Sequence, residues 1–394
     1  MSGALQQLVP TMMPSTARTL LKGVALPVAA ALGLGLLMQF VVGPMIGAYP
    51  ATVALQVGIS VMLAVSLNIV NGYTGQFSIG HAGFFAVGAY VGAGISYYAA
   101  LAGIDPASGQ QPSQALSNGA WLVWNDGQSF LFSYGEWRMV LASIVGGCVA
   151  AGLGYIVGLP SLRLRGDYLA IVTLGFGEIT RVLLTQTKPQ IFDRDELAAT
   201  QAKDWVIPPM GGATGFSDIP AYASLMWVWF FVAVMIFFAY RVKQSSTGRA
   251  LLSIREDEIA ARSMGVNITK YKVRAFVLAA GLAGLAGSLY AHTGQVIRPQ
   301  EAGFQRSFEV IIFVVLGGMG SISGVVLAAI ILSILPEALR DLSEYRLIVY
   351  ALLLILMMIV RPKGLFGVRE IWEFWPFTRG KKSEKPNEKK EVAP

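Results

Sequence analysis

Long apolar stretches separated by short polar segments dominate this chain of 394 residues. From Gly23 to Ile104, a run of 82 residues contains no Asp, Glu, Lys or Arg. Because a helix needs roughly 20 apolar residues to cross a bilayer, this run alone predicts about three spans. The whole pattern predicts an all-α polytopic membrane helix bundle. Its apolar segments lie at about Val24–Val42, Ala51–Val70, Ile79–Leu101, Met139–Leu159, Tyr168–Thr187, Ala221–Tyr240, Ala275–His292, Ser307–Pro336 and Leu347–Val360.

Two glycine- and serine-rich stretches interrupt this pattern and predict broken or re-entrant helices. One is Asn71–Gly83, and the other is Leu316–Gly324 inside the long segment Ser307–Pro336. If the last span, Leu347–Val360, ends in the cytoplasm, both ends of Ser307–Pro336 must lie on the outer side of the membrane. This segment must then form a hairpin of two half-helices, or a broken helix, with its turn deep in the membrane. Paired interruptions of this kind point to a translocation site. The alternative is that both are ordinary glycine-rich turns at the membrane interface.

Basic residues lie in alternate connections between the spans, which predicts the orientation of the chain. Arg18 and Lys22 precede the first span, the loop Leu101–Glu136 has no basic residue, and the insert Arg241–Arg274 is strongly basic. The positive-inside rule then places both termini in the cytoplasm. We divide the chain into a cytoplasmic segment 1–22, a transmembrane domain 23–367 and a cytoplasmic, disordered tail 368–394.

The insert Arg241–Arg274 contains eight basic and three acidic residues and predicts one short helix, Ser253–Gly265. Ser253 and Glu256 fit a capping box, and Gly265 suits a left-handed stop. A capped polar helix between two spans is suited to contact with a soluble partner, whereas the alternative is an ordinary basic loop. The residues expected at this contact are Ser253, Arg255, Glu256, Asp257, Glu258, Ala260, Ala261, Met264 and Gly265.

Side-chain spacing within this predicted helix suggests two further contacts. Glu258 and Arg262 have the favourable i,i+4 spacing of an ion pair. Ala260, Ala261 and Met264 fall on one small apolar face.

Composition excludes several function classes. Hydrophobic residues make up 54% of the chain and charged residues 13%, and the basic residues lie at span ends rather than in a nucleic-acid patch. With one cysteine, Cys148, and two histidines, the chain predicts neither an internal disulfide nor a His-rich metal site. It has no Walker A motif and no nucleophile–base pair within its spans. We therefore expect no enzyme activity and no bound cofactor, and energy must come from a partner or an ion gradient.

A few polar residues inside the spans are candidates for a translocation pathway. Glu178 and Arg181 are spaced to pair on one helix face, either as pathway residues or as a structural pair, since a lone charge at the bilayer centre costs about 2.5–3.5 kcal/mol. His81 opens an aromatic-rich helix, where packing or hydrogen bonding is the alternative role. The candidate pathway residues are Asn71, Ser78, His81, Glu178, Gly317, Gly318, Ser321 and Ser323.

Four stretches resemble the permease subunits of branched-chain amino acid ABC importers, LivM type. They are NIVNGYTGQFSIGHAGFFAVGAY (Asn68–Tyr90), LRLRGDYLAIVTLGFGEI (Leu162–Ile179), FEVIIFVVLGGMGSISG (Phe308–Gly324) and RPKGLFG (Arg361–Gly367). The resemblance covers the chain from about Ala51 to Gly367.

The resemblance implies a subunit of an ATP-driven importer that moves branched-chain amino acids across the bacterial inner membrane. Its partners would be a second, LivH-like permease, two ATPase subunits that bind ATP and Mg²⁺, a periplasmic binding protein and the lipid bilayer, with no nucleic acid. In this family a cytoplasmic loop carries a coupling helix of pattern E-A-A-x-x-x-G. Ala260, Ala261 and Gly265 match its second half, but Ile259 stands where the glutamate would be, with Glu258 one position earlier.

Other classes of transporter remain open on the residues alone. A related urea or amide importer uses a similar permease, although the GYTGQFSIGHAG stretch is similar to the amino-acid branch. A stand-alone ion-coupled transporter or channel would also use broken helices but would not need the capped loop helix. A membrane-embedded enzyme is disfavoured by the lack of candidate catalytic residues.

Overall fold

Each predicted apolar segment contains a helix within its described residues. A computed structural model describes residues 25–102, 122–124, 129–131, 134–161, 168–192, 194–200, 208–294, 296–340, 345–361, 364, 365, 367 and 370. The predicted segment 1–22, the connection 162–167 and residues 371–394 lie outside them. The helices are α1 (Leu26–Ile46, with a π-helical turn Met38–Val42), α2 (Ala48–Asn71), α3 (His81–Ala102), α4 (Tyr134–Ser161), α5 (Tyr168–Thr185), α6 (Arg194–Ala199), α7 (Leu225–Gln244), α8 (Ser246–Glu256), α9 (Glu258–Ser263), α10 (Ile268–Ala291), α11 (Phe304–Gly317), α12 (Ile322–Ala338) and α13 (Arg346–Val360).

The structure confirms the all-α membrane bundle. Within the described residues, seven helices are long and apolar enough to cross a membrane, namely α1, α2, α3, α4, α5, α7 and α10. The two strands of a short antiparallel hairpin, β1 (Leu122–Trp124) and β2 (Ser129–Leu131), lie in the loop between α3 and α4. No sequence pattern had predicted this hairpin.

Helix α10 occupies the centre of the bundle and packs against α2, α3 and α4. The contact with α3 depends on glycine, because a Cβ on Gly88 would lie 2.0 Å from the Gly284 carbonyl oxygen. A Cβ on Gly146 of α4 would lie 2.8 Å from the Gly88 carbonyl oxygen. Small residues allow membrane helices to approach this closely, so α3, α4 and α10 form a tight central group.

The segment Ser307–Pro336 forms the expected hairpin. Helices α11 and α12 flank a non-helical turn, Gly318–Ser321, and pack against each other where Gly317 meets Val325. The turn lies beside the end of α2, where side chains from the basic insert reach its carbonyl groups. The predicted depth of the turn in the membrane stays a prediction.

Candidate functional site

The basic insert forms a connected series of short helices with a side-chain cap at each junction. The Ser245 hydroxyl accepts a hydrogen bond from Gly248 N at the start of α8. Asp257 Oδ1 accepts bonds from Ile259 N and Ala260 N at the start of α9, and Asn267 caps α10 through Lys270 N. Each cap satisfies backbone N–H groups that the first turn of its helix leaves free.

The left-handed stop at Gly265 is confirmed. Gly265 has a φ of +82°, a value that favours glycine. Gly265 N bonds to the Arg262 carbonyl, and Val266 N bonds to the Ala261 carbonyl. This is the Schellman arrangement, which satisfies the last carbonyl groups of α9.

The predicted single helix Ser253–Gly265 is wrong, and so is its capping box. Ser253 and Glu256 lie in the last turn of α8, and the Ser253 hydroxyl bonds back to the Ala250 carbonyl. The extended backbone of Asp257 separates α8 from α9. Asp257 replaces Ser253 as the cap because its carboxylate reaches two free backbone N–H groups.

The predicted pair between Glu258 and Arg262 is also wrong. Glu258 Oε1 lies 2.5 Å from Lys272 Nζ, so the ion pair joins α9 to α10 instead of bracing α9 itself.

The apolar residues of α9 divide between two faces. Ala261 is buried against Ile254 and Ile268, which fixes α9 to its neighbours. By contrast, Ile259 is 80% exposed and Met264 is 84% exposed, and Ala260 is exposed beside them. We call Ile259, Ala260 and Met264 the α9 patch. It is an apolar surface on a polar insert, without a covering partner among the described residues.

Two cations of the insert contact the bundle. Arg255 Nη1 donates to the carbonyl oxygen of Gly72 at 2.6 Å and to that of Met319 at 3.2 Å. Lys243 Nζ donates to the carbonyl oxygen of Gly320 at 2.8 Å. These bonds connect the insert to both helix interruptions.

The two interruptions also contact each other through Asn68 in the last turn of α2. Asn68 Oδ1 accepts a bond from Gly320 N at 2.9 Å, and its Nδ2 donates to the Ser321 carbonyl at 3.2 Å. A buried side-chain amide that uses both ends fixes the relative position of the two segments.

Glu370 caps α12 from beyond the last helix. Its carboxylate accepts bonds from Ile322 N at 3.1 Å and from Ser323 N at 3.0 Å, and it pairs with Lys243 at 2.5 Å. Glu370 is only 3% exposed, so the expectation of a disordered segment 368–394 fails at this residue. A carboxylate at a helix N-terminus is favoured by the free N–H groups and by the helix dipole.

These contacts lower the pKa of the Glu370 carboxyl. Burial raises that pKa, but the hydrogen bonds from Lys243, Ser323 and Ile322 outweigh the effect and hold the pKa below its ordinary value. The carboxylate is therefore ionised at neutral pH.

Three of the predicted pathway residues lie together in the first interruption. Asn71 Oδ1 accepts a bond from Ser78 N at 3.2 Å. The Asn71 Nδ2 and the Ser78 hydroxyl are buried and have no hydrogen-bond partner among the described residues. His81 is buried, and its Nε2 lies 2.7 Å from the Ser66 hydroxyl. These residues form a buried polar segment next to α2.

Glu178 lies apart from that segment. It pairs with Arg181 at 2.7 Å, as the spacing predicted, and its other oxygen accepts a bond from Phe304 N at 3.2 Å. The carboxylate therefore caps α11, a structural contact that no sequence pattern had indicated.

The remaining predicted residues line the turn of the hairpin. Gly317 and Gly318 permit close backbone contacts, since a Cβ on Gly318 would lie 2.3 Å from the Gly367 carbonyl oxygen. Ser321 caps α12 through Gly324 N, and the Ser323 hydroxyl donates to Glu370 at 2.6 Å. The structure thus brings the motifs Leu316–Gly324 and Arg361–Gly367 together.

Sequence reasoning missed Asn68, Lys243 and Glu370 as members of this site. Asn68 is one of several polar residues in the largely apolar helix α2; a polar side chain there needs a partner, but the sequence does not single out Asn68 among them. Lys243 and Glu370 stood among many charges in polar segments, and no local pattern distinguished them.

Comparison with known proteins identifies relatives over most of the chain. A family model described as the permease component of branched-chain amino acid transport systems matches residues 49–360. The chain is 34% identical over 323 residues to the high-affinity branched-chain amino acid transport system permease protein LivM of Salmonella typhimurium, covering 78% of this chain and 67% of the relative. No solved structure matches the chain.

More distant relatives extend the similarity. The chain is 25% identical over 323 residues to the high-affinity branched-chain amino acid transport system permease protein LivH of Escherichia coli K12, covering 79% of this chain and 92% of the relative. It is 24% identical to a probable branched-chain amino acid transport permease protein LivM of Methanocaldococcus jannaschii, covering 80% and 92%.

Proposed function

The chain belongs to the family of permease components of branched-chain amino acid transport systems, and from this premise we propose that it is one permease subunit of an ATP-driven importer. Its substrates are leucine, isoleucine and valine, and it works across the bacterial inner membrane with both termini in the cytoplasm. A second, LivH-like permease completes the pore, and a periplasmic protein delivers the substrate. Two partner ATPases bind ATP and Mg²⁺.

The proposed ATPase contact is the α9 patch. Ile259, Ala260 and Met264 present apolar surface at the tip of a capped insert, where burial by a partner would be favourable by about 25 cal/mol per Å² of apolar area. Ala261 faces inward and anchors α9, so its role is to support the patch.

The observation that carries the proposal is the double hydrogen bond of Arg255. This side chain of the insert holds carbonyl groups of both helix interruptions, Gly72 and Met319. A shift of the insert, driven by closure of the ATPases, changes the position of both interruptions at once. Rigid-body movement of one element against another is one known form of switching transition.

Reconstitution tests this proposal. The complete set of partners in proteoliposomes should accumulate leucine when ATP is supplied inside and the binding protein outside. Ile259→Glu with Met264→Glu should abolish accumulation, because a charge on the patch opposes burial against the ATPase. Ile259→Leu with Met264→Leu keeps the apolar surface and should retain accumulation.

Two results would contradict the proposal. One is wild-type accumulation by the double glutamate variant. The other is accumulation by the chain without the ATPases, driven by an ion gradient, which would instead support a stand-alone transporter.

A further inference from the structure

A second polar region lies in the half of the bundle remote from the basic insert. It is a cavity of about 180 Å³ between α2, α10, α11, α12 and the turn Pro299–Ala302. Tyr290, near the far end of α10, and Val53, near the start of α2, both line it. A cavity of about 150 Å³ accommodates benzene in another protein, so this one has room for a small molecule.

Three charged groups lie on one wall of the cavity. Arg306 Nη1 is 2.7 Å from Glu309 Oε2, and Arg306 Nε is 3.6 Å from Glu301 Oε2. The guanidinium also lies 5.8 Å from the centre of the Phe85 ring. Two carboxylates and one guanidinium leave a net charge of −1 in an otherwise apolar bundle, where charges are costly and mark functional sites.

Hydrogen-bonding capacity remains free on this wall. Within the described part of the chain, the Arg306 Nε–H has no hydrogen-bond acceptor, and the buried Ser333 hydroxyl has no hydrogen-bond partner. A buried donor without an acceptor is costly. Both groups line the cavity, where a bound molecule could satisfy them.

The rest of the cavity lining is mixed. Val53 and Ile59 of α2 and Leu332 and Pro336 of α12 supply an aliphatic part, whereas Gln56, Ser60 and Tyr290 add polar groups. The cavity therefore combines a cation, two anions and several neutral polar groups with a smaller aliphatic surface. Convergent polar groups beside an apolar surface are typical of sites that orient a small ligand.

We propose that this cavity binds an aliphatic amino acid in its zwitterionic form during transport, an inference that rests on the proposed function. The ligand carboxylate bonds to Arg306, and its ammonium group lies between Glu301 and Glu309, which balances their extra negative charge. The aliphatic side chain packs against Ile59 and Leu332. The site is an intermediate binding position on the transport path, between the external face and the two helix interruptions.

Cysteine protection tests the site directly on the complete importer in nanodiscs without nucleotide. A Cys148→Ala background removes the native thiol, and Ser333→Cys places a new one in the cavity. Leucine should slow its alkylation about tenfold. The matched control is Ile331→Cys, on the same helix but 42% exposed outside the cavity, whose alkylation leucine should not change.

Ligand analogues test the two charge contacts. Isoamylamine is leucine without the carboxylate, and 4-methylpentanoate is leucine without the ammonium group. Each should therefore protect the Ser333→Cys thiol about tenfold less well than leucine, as expected for one lost bond to a charged group. In that background Glu309→Gln, which keeps the side-chain shape, should weaken protection by leucine and by isoamylamine but not by 4-methylpentanoate.

The outcomes separate this inference from the proposed function. If the wild-type importer accumulates leucine but leucine does not protect the Ser333→Cys thiol, the charges are a structural cluster and the inference is overturned. Equal protection by leucine and both analogues would also overturn it. If the wild-type importer with its partners does not accumulate leucine, the proposed function itself fails.

Discussion

Asn68 and Gly320 lie 252 positions apart in the chain, and the Asn68 Oδ1 accepts the Gly320 N–H at 2.9 Å. This bond joins the end of α2 to the turn between α11 and α12. With the second bond, from Asn68 Nδ2 to the Ser321 carbonyl, it makes one amide side chain the bridge between the two interruptions.

Asn68→Asp should destabilise the protein by about 1–3 kcal/mol, the cost of leaving a buried group unsatisfied. The aspartate keeps an acceptor for Gly320 N but places an oxygen opposite the Ser321 carbonyl. Thermal unfolding of the full chain in detergent measures the effect. The matched control is Asn71→Asp, since Asn71 uses only its oxygen among the described contacts; equal losses in both variants would refute the bridge.

Arg255→Ala should lower ATP-driven leucine uptake about tenfold or more while partner ATPase activity continues, because the link from the insert to Gly72 and Met319 is lost. The control is Arg249→Ala, since Arg249 bonds only to the carbonyl of nearby Gln244 in the described structure. Leucine uptake and ATP hydrolysis are measured in parallel, and the ratio of leucine taken up to ATP hydrolysed is compared with that of the wild type. An unchanged ratio in Arg255→Ala would show that this arginine does not transmit motion.

Glu370 should make stability depend on pH below 4.5, its ordinary pKa. Since folding lowers this pKa, the folded state gains stability that is fully present above 4.5 and is lost as pH falls through the folded pKa. Glu370→Gln removes the ion pair with Lys243 and should cost about 3 kcal/mol at pH 7. Its melting temperature should also fall less than that of the wild type between pH 6 and pH 3; parallel curves would contradict this role.

Gly88→Ala should destabilise the bundle by about 1–3 kcal/mol, because the new methyl group meets the Gly284 carbonyl oxygen. The matched control is Gly152→Ala in α4, where a Cβ would meet nothing within 4 Å. Within a helix that substitution should stabilise by about 0.5–1 kcal/mol. Melting temperatures that shift in opposite directions support the close approach of α3 and α10, whereas two equal shifts would refute it.

The sequence predicted the fold well because bilayer thickness imposes a length and an apolar composition on every span. The errors of the sequence prediction lie in the polar segments, where the bilayer imposes neither a length nor a composition. Helix α10 begins at Ile268 rather than at Ala275, since Asn267 caps it inside the polar insert. The break at Asp257 also lies in the polar insert. Ser253 and Asp257 are both suitable N-cap residues, and only the three-dimensional contacts select between them.

The candidate site was only partly predictable. Both interruptions were found from their glycine and serine content, and Gly265 from the stop that it forms. The contacts of Asn68, Lys243 and Glu370 join segments far apart in the chain, and no local spacing encodes such distances. A single sequence shows that a buried asparagine needs a partner but not which backbone group supplies it.

The cap on α12 has a consequence for biosynthesis. Ile322 and Ser323 emerge from the ribosome before Glu370. The first turn of α12 therefore lacks the Glu370 carboxylate until almost the whole bundle has been translated. At about 5–20 residues per second, that wait lasts a few seconds. A nascent chain cut short after Val360 retains every span and still lacks the carboxylate that closes the hairpin.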